Sequence, residues 1–441
     1  MVPGRFPVTL AEPTARPVPE QQPEPEVPLG RNRQFLRMWA GSGAAVLAER
    51  FSAAPFTFVV IYEGYAKSLA GLVAFAALLP QLLVQLPAGV LVDRWDRRRV
   101  MIVADLVRLA GVASVAVALM LGHVWIWHLV AVAFVQGTFT VFYTLSERAA
   151  VRFVVPKHQL PDALARNEAR GRAAALGGHP AGGTLYEITR WAPFTSSAVL
   201  YLLSLLAIVS LRGPMPPPER QQPRSPFAEA REGLAWVWRE RDLRIALALI
   251  AVSNMIFQGI ILSLQFIAKD GGHSPLSVSL ILAAGGIGGL GGALLGGRWI
   301  QRSGMERIMV RTYLAWALVL PGMVLTNDPW LLGGLFLLMS GIGAAVTVAG
   351  TVHQMRVTPE RLQGRVGSVV FLMVSGCSAF GALGAGYLLQ ETGTHTSMLV
   401  FAAVMALLAL IAVLVFGRPR RPRGRHLAPR PPRSRRGRHC W

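Results

Sequence analysis

A carboxylate set inside a long apolar run is the first feature of this sequence with chemistry to account for. Glu49 stands about fourteen residues into the apolar stretch 35–60, with Arg50 beside it. At a rise of 1.5 Å per residue it would lie about 21 Å along a helix, past the middle of a bilayer core about 30 Å thick. An acid held there is costly, so a function is the default reading. Successive residues on a helix point about 100° apart, so Glu49 and Arg50 do not simply neutralise each other. Two roles stand for Glu49: a group that takes up a proton on one side and releases it on the other, or the partner of a buried arginine on another helix.

Further polar groups fall at helical spacing inside apolar runs. Asp105 and Arg108 are three apart, one face of a helix, and read as a structural ion pair. His179 lies in a glycine-rich run and is either a titratable group near neutral pH or a satisfied interior histidine. Ser42 precedes Glu49 by seven. Gln136, Thr140 and Tyr143 stand at i, i+4, i+7; Asn254, Gln258 and Gln265 at i, i+4, i+11; Ser340, Thr347 and Thr351 at i, i+7, i+11. Each set forms one stripe of a helix, made either for a ligand or for hydrogen bonds between helices.

The elements that carry these groups follow from composition. Of 441 residues, 53% are hydrophobic and only 15% charged, which excludes a disordered chain and argues for a polytopic membrane protein. At roughly 20 residues per span, the sequence holds twelve apolar runs: 35–60, 69–92, 100–121, 125–146, 169–188, 194–211, 244–267, 277–299, 309–326, 331–352, 367–389 and 397–416. The fold class is therefore all-α. The fifth run is the least apolar, diluted by Gly171, Gly177, Gly178, His179, Pro180, Gly182 and Gly183. It is nevertheless required. With the N-terminus inside, the outer loops contain only Lys67, Arg190 and Lys269, while Arg94, Arg97, Arg98, Arg99, Arg148, Arg152, Arg302, Arg361, Arg365 and others lie inside. Dropping the fifth run would put the second set of arginines outside.

The net charge of +21 would otherwise invite a nucleic-acid reading, but residues 418–441 alone hold ten arginines and no acid, and the remainder reports topology. No nucleic-acid partner is expected. The expected organisation is a Pro-rich cytoplasmic N-terminus (1–33), a six-helix bundle (34–211), a cytoplasmic linker (212–243), a second six-helix bundle (244–417) and an Arg-rich cytoplasmic tail (418–441). The linker opens with Pro214, Pro216, Pro217 and Pro218 and continues as an amphipathic stretch, Phe227 to Arg241. The bundles repeat at an offset near 205: Trp125 matches Trp330, Pro156 matches Pro359, and Gly89 with Arg94 matches Gly297 with Arg302. Two related bundles facing each other are what alternating access needs.

Between the second and third runs stands Gly89-Val90-Leu91-Val92-Asp93-Arg94-Trp95-Asp96-Arg97-Arg98-Arg99. It closely resembles motif A, G-x-L-x-D-R-x-x-R-R, of the major facilitator superfamily. Three weaker cues resemble the branch of macrolide-efflux and siderophore-export proteins: Arg31-Asn32-Arg33-Gln34-Phe35, Ala104-Asp105-Leu106-Val107-Arg108 and Arg361-Leu362-Gln363-Gly364-Arg365-Val366. The resemblance implies two pseudo-symmetric bundles around a central cavity lined by helices one, four, seven and ten, the helices that carry the four polar stripes. It also implies that Asp93 and Arg94, anchored with Gly89, Arg97 and Arg98, latch the bundles in one state. Two departures stand out. The antiporter motif B arginine is replaced by Ala133, and motif C survives only as Gly178-His179-Pro180-Ala181-Gly182-Gly183.

The function expected from these readings is export of a hydrophobic or amphipathic small molecule by proton antiport, with Glu49, Arg50 and His179 as coupling candidates. A uniporter or importer without proton coupling, and a non-transporting scaffold whose tail recruits anionic lipid, are the alternatives. No G-x-x-x-x-G-K-[ST] loop, metal-ligand cluster or nucleophile–base set occurs, so no ATP, cofactor, metal or enzymatic activity is expected. Cys377 and Cys440 make no disulfide framework. A monomer in the cell membrane, both termini cytoplasmic, completes the expectation.

Overall fold

The structure is a computed structural model that describes residues 27–213, 215, 226–302 and 304–417. The Pro-rich N-terminus up to 26, the proline spacer of the linker, and the Arg-rich tail with Cys440 lie outside the described residues, as do the side chains of Gly297 and Arg302. Within them the chain is helical: α1 (Arg33–Tyr62), α2 (Lys67–Leu83), α3 (Gln85–Arg94), α4 (Arg97–Met120), α5 (Ile126–Val154), α6 (Leu160–Ile188), α7 (Ala192–Val209), α8 (Pro226–Arg239), α9 (Arg241–Asp270), α10 (Pro275–Arg302), α11 (Met305–Val324), α12 (Pro329–Val357) and α13 (Gln363–Phe416).

Local chemistry sets the boundaries. Asn32 caps α1, its Oδ1 accepting from the amides of Gln34 and Phe35 at 3.1 Å each. Asp96 caps α4 through the Arg99 amide and, with its other oxygen, accepts from the Met215 amide at 3.0 Å. Pro156 and Pro359 each open a single tight helical turn before α6 and α13, so the sequence repeat returns as a structural one. Gly393, at φ 77°, breaks α13. There the chain reverses: Thr394 reaches Asp270 at the end of α9, whereas Phe401 packs on Gly259 further back along it.

Nine helices among the described residues are long and apolar enough to cross a membrane, and the pair α2–α3, bent by 54°, makes a tenth candidate. The helix α6 is not among them, because its glycines and arginines lower its hydropathy; it is longer than its apolar run, starting at Leu160 rather than 169. The amphipathic linker helix ends at Arg239, and Arg241 already opens α9.

Two bundles result. Helices α1, α4, α5, α6 and α7 pack together, with α2 against α5; α9 to α13 form the second group. The groups meet where α2 packs on α13 and α6 on α10. Close approach at the first seam requires glycine: a Cβ on Gly71 would lie 2.7 Å from both the Ala382 carbonyl oxygen and the Gly386 Cα. The linker helix α8 is held to the second bundle by Val237, buried against Leu362 and Val366, and by ion pairs of Glu229 and Glu232 with Arg365.

Candidate functional site

The polar centre of the first bundle is built on Arg108. Its guanidinium donates to Asp105 at 2.5 Å and lies between the rings of Tyr143 and Tyr201, 4.3 and 4.6 Å from their centroids. Ser204 donates to the second Asp105 oxygen at 2.7 Å, and Gln136 donates to the Arg108 carbonyl at 2.8 Å. The Tyr143 hydroxyl donates to Ser42 at 3.2 Å and lies as close to Ser204. Both charged side chains are buried, and each oxygen of the carboxylate finds a donor. This is the arrangement that allows an ion pair to persist in a low-dielectric interior. It ties α1, α4, α5 and α7 together.

A second buried pair was not among the sequence candidates. Glu147 on α5 accepts from Arg170 on α6 at 2.5 Å, with side-chain exposures of only 10% and 9%. Arg170 also donates to the Trp39 carbonyl at 2.9 Å and stands 6.0 Å over the Trp39 ring. The signal for Glu147 was present. It stands at i+11 of the stripe Gln136, Thr140, Tyr143, one step beyond a span drawn to end at 146.

Glu49 is half-buried on α1, and its carboxylate makes no hydrogen bond or ion pair with another described residue; its charge acts on Arg108 and Tyr201. Arg50 points elsewhere. Its stem packs on Gly178, where a Cβ would meet Arg50 Cβ at 2.3 Å, and its charge acts on His179. Arg50 Nε and His179 Nδ1 are both buried without a hydrogen-bond partner. The remaining glycines of that motif serve packing: Gly182 sits against the Phe51 backbone and Gly183 against Ser279, while Pro180 accepts from Thr184 at 2.9 Å.

A cavity of about 420 Å³ opens between α6 and the second bundle, lined by His179, Asn254, Phe257, Trp316, Phe336, Ser340 and Thr347 among others. That is within the size range of small-molecule sites. Phe257 and Phe336 stack at 5.6 Å, and the Trp316 indole is fixed by donating to the Met339 carbonyl at 2.9 Å. Of the polar stripes, Asn254, Ser340 and Thr347 line this cavity. Ser42, Gln136 and Tyr143 belong to the Arg108 network, and Gln265 accepts from Thr57 at 2.6 Å across the seam. Thr140 and Gln258 are half-buried, and Thr351 is exposed.

At one end of the molecule the bundles are joined by polar contacts. The Lys67 ammonium donates to Thr394 at 2.7 Å, pairs with Asp270 at 3.6 Å and stands 5.0 Å over Phe266, while its amide donates to Gln390 at 2.8 Å. Tyr62 donates to the His273 carbonyl at 3.2 Å. The opposite, arginine-rich end carries motif A. Asp93 is 71% exposed there, its ion-pair contact being Arg97 of its own bundle at 4.0 Å. Arg97 is buried and stacks on Phe153, Arg98 caps α7 by donating to the Ile208 and Val209 carbonyls, and Arg94 is exposed. Gly89 has no heavy atom within 4 Å of a built Cβ.

Residues 26–428 match the family described as transmembrane secretion effector. The chain belongs to that family, within the major facilitator superfamily. It is similar to the multidrug efflux pump Tap of Mycolicibacterium fortuitum, 25% identical over 86% of this chain and 93% of the relative. It is also similar to macrolide efflux protein A of Streptococcus pyogenes, 23% identical over 87% of this chain and 96% of that protein. Among solved structures, a nucleoside transporter, NupG, superposes with a TM-score of 0.71 over 88% of this chain and 99% of its own, at 12% identity, a likeness of fold. The protein is thus a multi-pass membrane transporter with the major facilitator fold.

Proposed function

We propose that this transporter exports a hydrophobic or amphipathic small molecule, such as a drug, antibiotic or secondary metabolite, in exchange for protons. The observation that carries the reading is the cavity between the bundles in a molecule whose bundles are joined by polar contacts at its Lys67 end. The efflux function of both relatives supports the direction. In this reading α6 is a span and α13 is two, giving twelve crossings in two bundles, 34–211 and 244–417, joined by the linker 212–243. The scarcity of Lys and Arg at the Lys67 end makes that end external and both termini cytoplasmic in the cell membrane. The conformation is then open to the cytoplasm. Asp93, Arg94, Arg97 and Arg98 would close the inner face in the opposite state, and a single chain suffices.

Glu49 is the proposed proton carrier, since it is half-buried and its carboxylate has no hydrogen-bond partner among the described residues. A proton entering from outside would bind a carboxylate oxygen and remove the charge that acts on Arg108; substrate leaving outward would be exchanged for it. Glu49→Gln, reconstituted in proteoliposomes with an imposed pH gradient, should lose gradient-driven flux while keeping counterflow. Undiminished gradient-driven flux removes Glu49 from the mechanism. A proton-independent carrier is the second reading, favoured by Ala133, which is buried where the antiporter arginine would stand. Flux indifferent to the pH gradient in the unaltered protein would establish it.

A further inference from the structure

Most hydrogen-bond donors on the walls of the cavity of about 420 Å³ are already engaged by backbone carbonyls. The Trp316 indole donates to the Met339 carbonyl at 2.9 Å, and the Thr347 hydroxyl to the Gly343 carbonyl at 3.1 Å. Ser253 is occupied in both directions, donating to the Ile250 carbonyl at 2.9 Å and accepting from Tyr313 at 3.4 Å. Asn254 commits one N–H to the same Ile250 carbonyl at 2.8 Å. A carbonyl only accepts, so this bond fixes which way the Asn254 amide is turned and leaves its Oδ1 without a partner among the described residues. The capacity that remains is weighted toward acceptors. Asn254 Oδ1 and Thr347 Oγ1, its proton engaged, can only accept; Ser340, also unpartnered among the described residues, can do either, and one Asn254 N–H is left. His179 donates or accepts according to its tautomer, so the pattern does not depend on it.

Polar groups facing a cavity hold water, and a ligand that displaces it without replacing its hydrogen bonds loses affinity. Two oxygens that can only accept therefore select a ligand that donates. The rings beside them select its shape. Asn254 and Phe257 stand three apart on α9, Phe336 and Ser340 four apart on α12, so each of these walls sets a ring next to a polar group. Phe257 and Phe336 stack nearly parallel, 27° apart, and Trp316 is held edge-on by Tyr313 at 89°. Gly285 keeps the space in front of them free: a Cβ there would lie 2.2 Å from the Phe336 ring and 3.0 Å from Ser340 Oγ. Rings fixed in this way present π surface without further ordering of side chains.

We propose that this cavity binds a flat aromatic molecule whose edge carries a hydrogen-bond donor, a ring or amide N–H or a phenolic O–H. The ring lies against Phe257 and Trp316, and the donor is received by the free oxygens of Asn254 and Thr347. An aromatic of the same shape whose edge only accepts is selected against, because its lone pairs would face theirs. The assignment rests on the export reading and narrows its substrate class, but it is tested by binding alone.

The test uses the full chain purified in detergent and two tritiated probes, carbazole and dibenzofuran, uncharged tricycles of one shape in which an N–H is exchanged for an oxygen. Equilibrium dialysis against the same detergent cancels their partition into micelles. Carbazole should bind about tenfold tighter, the discrimination expected when an acceptor is satisfied or left facing another acceptor. Combining Asn254→Leu with Thr347→Val should bring the two probes within about twofold of each other, because both free oxygens are gone. Trp316→Leu should weaken the two alike, because it removes ring contact and no free acceptor. Equal binding of the two tricycles on the unaltered protein overturns the proposal, as does the absence of saturable binding of either, and neither result depends on a variant folding. A carbazole preference undiminished in the Asn254→Leu, Thr347→Val protein also overturns it. The two readings fail separately. A chain that prefers carbazole but exports no compound from a drug panel refutes export and keeps this site, whereas drug export with the tricycles bound alike does the reverse.

Discussion

The Lys67 side chain makes three contacts between the bundles at the end where polar groups join them, and its removal has a calculable effect. In Lys67→Ala the backbone hydrogen bond to Gln390 survives, but three side-chain interactions disappear. The 2.7 Å bond to Thr394 is part-buried and charge-assisted, about 1 kcal/mol after discounting for exposure. The ion pair with Asp270 spans 3.6 Å between side chains 27% and 53% exposed, and such pairs contribute about 0.5 kcal/mol. The ammonium over Phe266 adds about 0.5 kcal/mol. All three bridge the bundles, so all are lost when this end opens. Together they favour the closed arrangement by about 2 kcal/mol, roughly a thirtyfold bias in the equilibrium. The assay is thiol labelling. Thr57, buried at the seam against Gln265, is replaced by cysteine in a background in which Cys377 and Cys440 are alanine. An impermeant maleimide added from the Lys67 side should then react tenfold or more faster in Lys67→Ala. Equal rates with and without Lys67 would show that apolar packing alone closes this end, and would refute the reasoning.

Three further outcomes follow from the packing. Replacing either Asp105 or Arg108 alone by leucine should cost about 3–5 kcal/mol, because the survivor is a buried charge without its partner; yield of folded protein by fluorescence-detected gel filtration should fall steeply, and the double replacement should recover a substantial part. Gly71→Ala should raise the same maleimide labelling and reduce transport, since its Cβ would meet backbone atoms at 2.7 Å that cannot turn aside. Gly89→Ala is the contrast: it meets nothing within 4 Å here, so unchanged labelling together with lost transport would place its role in the opposite state.

The helices were legible because a membrane leaves few alternatives. An apolar run of about 20 residues in lipid has to satisfy its own backbone, and a helix does so. The runs therefore located the helices, while polar chemistry placed their ends. The apolar run beginning at 125 ends at 146, but α5 continues to Val154, since Glu147 finds Arg170 and no longer has to reach water. Likewise α6 extends back to Leu160 through a polar stretch, from Leu160 to Arg170, that hydropathy alone would leave as loop. What sequence spacing cannot give is the partner. The stripe of Gln136 and Tyr143 reads the same whether it faces a ligand or a neighbour; only the positions of Arg108, Ser42 and Ser204 decide that here it faces neighbours. Asn254 and Ser340 carry an indistinguishable signal and face a cavity.

The adjacent pair Glu49-Arg50 is where this ambiguity bears most on mechanism. Residues one apart on a helix diverge by about 100°, so α1 separates the two charges onto different neighbours. The acid acts on the Arg108 network of its own bundle, and the guanidinium acts on His179 at the edge of the cavity. On the proposed reading the proton is carried by Glu49 on α1, whereas the cavity is lined by His179 of α6 and by the second bundle, so proton and substrate share no side chain. Competition between them cannot be direct displacement; it has to pass through the position of α1. Protonation of Glu49 would remove the charge that acts on Arg108, and occupancy of the cavity would bear on α6 through His179. Gly178, against the Arg50 side chain, and Gly182, against the Phe51 backbone, are the contacts along which such a shift would move. Coupling by this route predicts that Gly178→Ala, whose Cβ would meet the Arg50 stem at 2.3 Å and force α1 and α6 to shift, uncouples flux from the pH gradient while Glu49 is still present. If Gly178→Ala folds and retains full gradient-driven flux, α1 is not the element through which the two sides communicate.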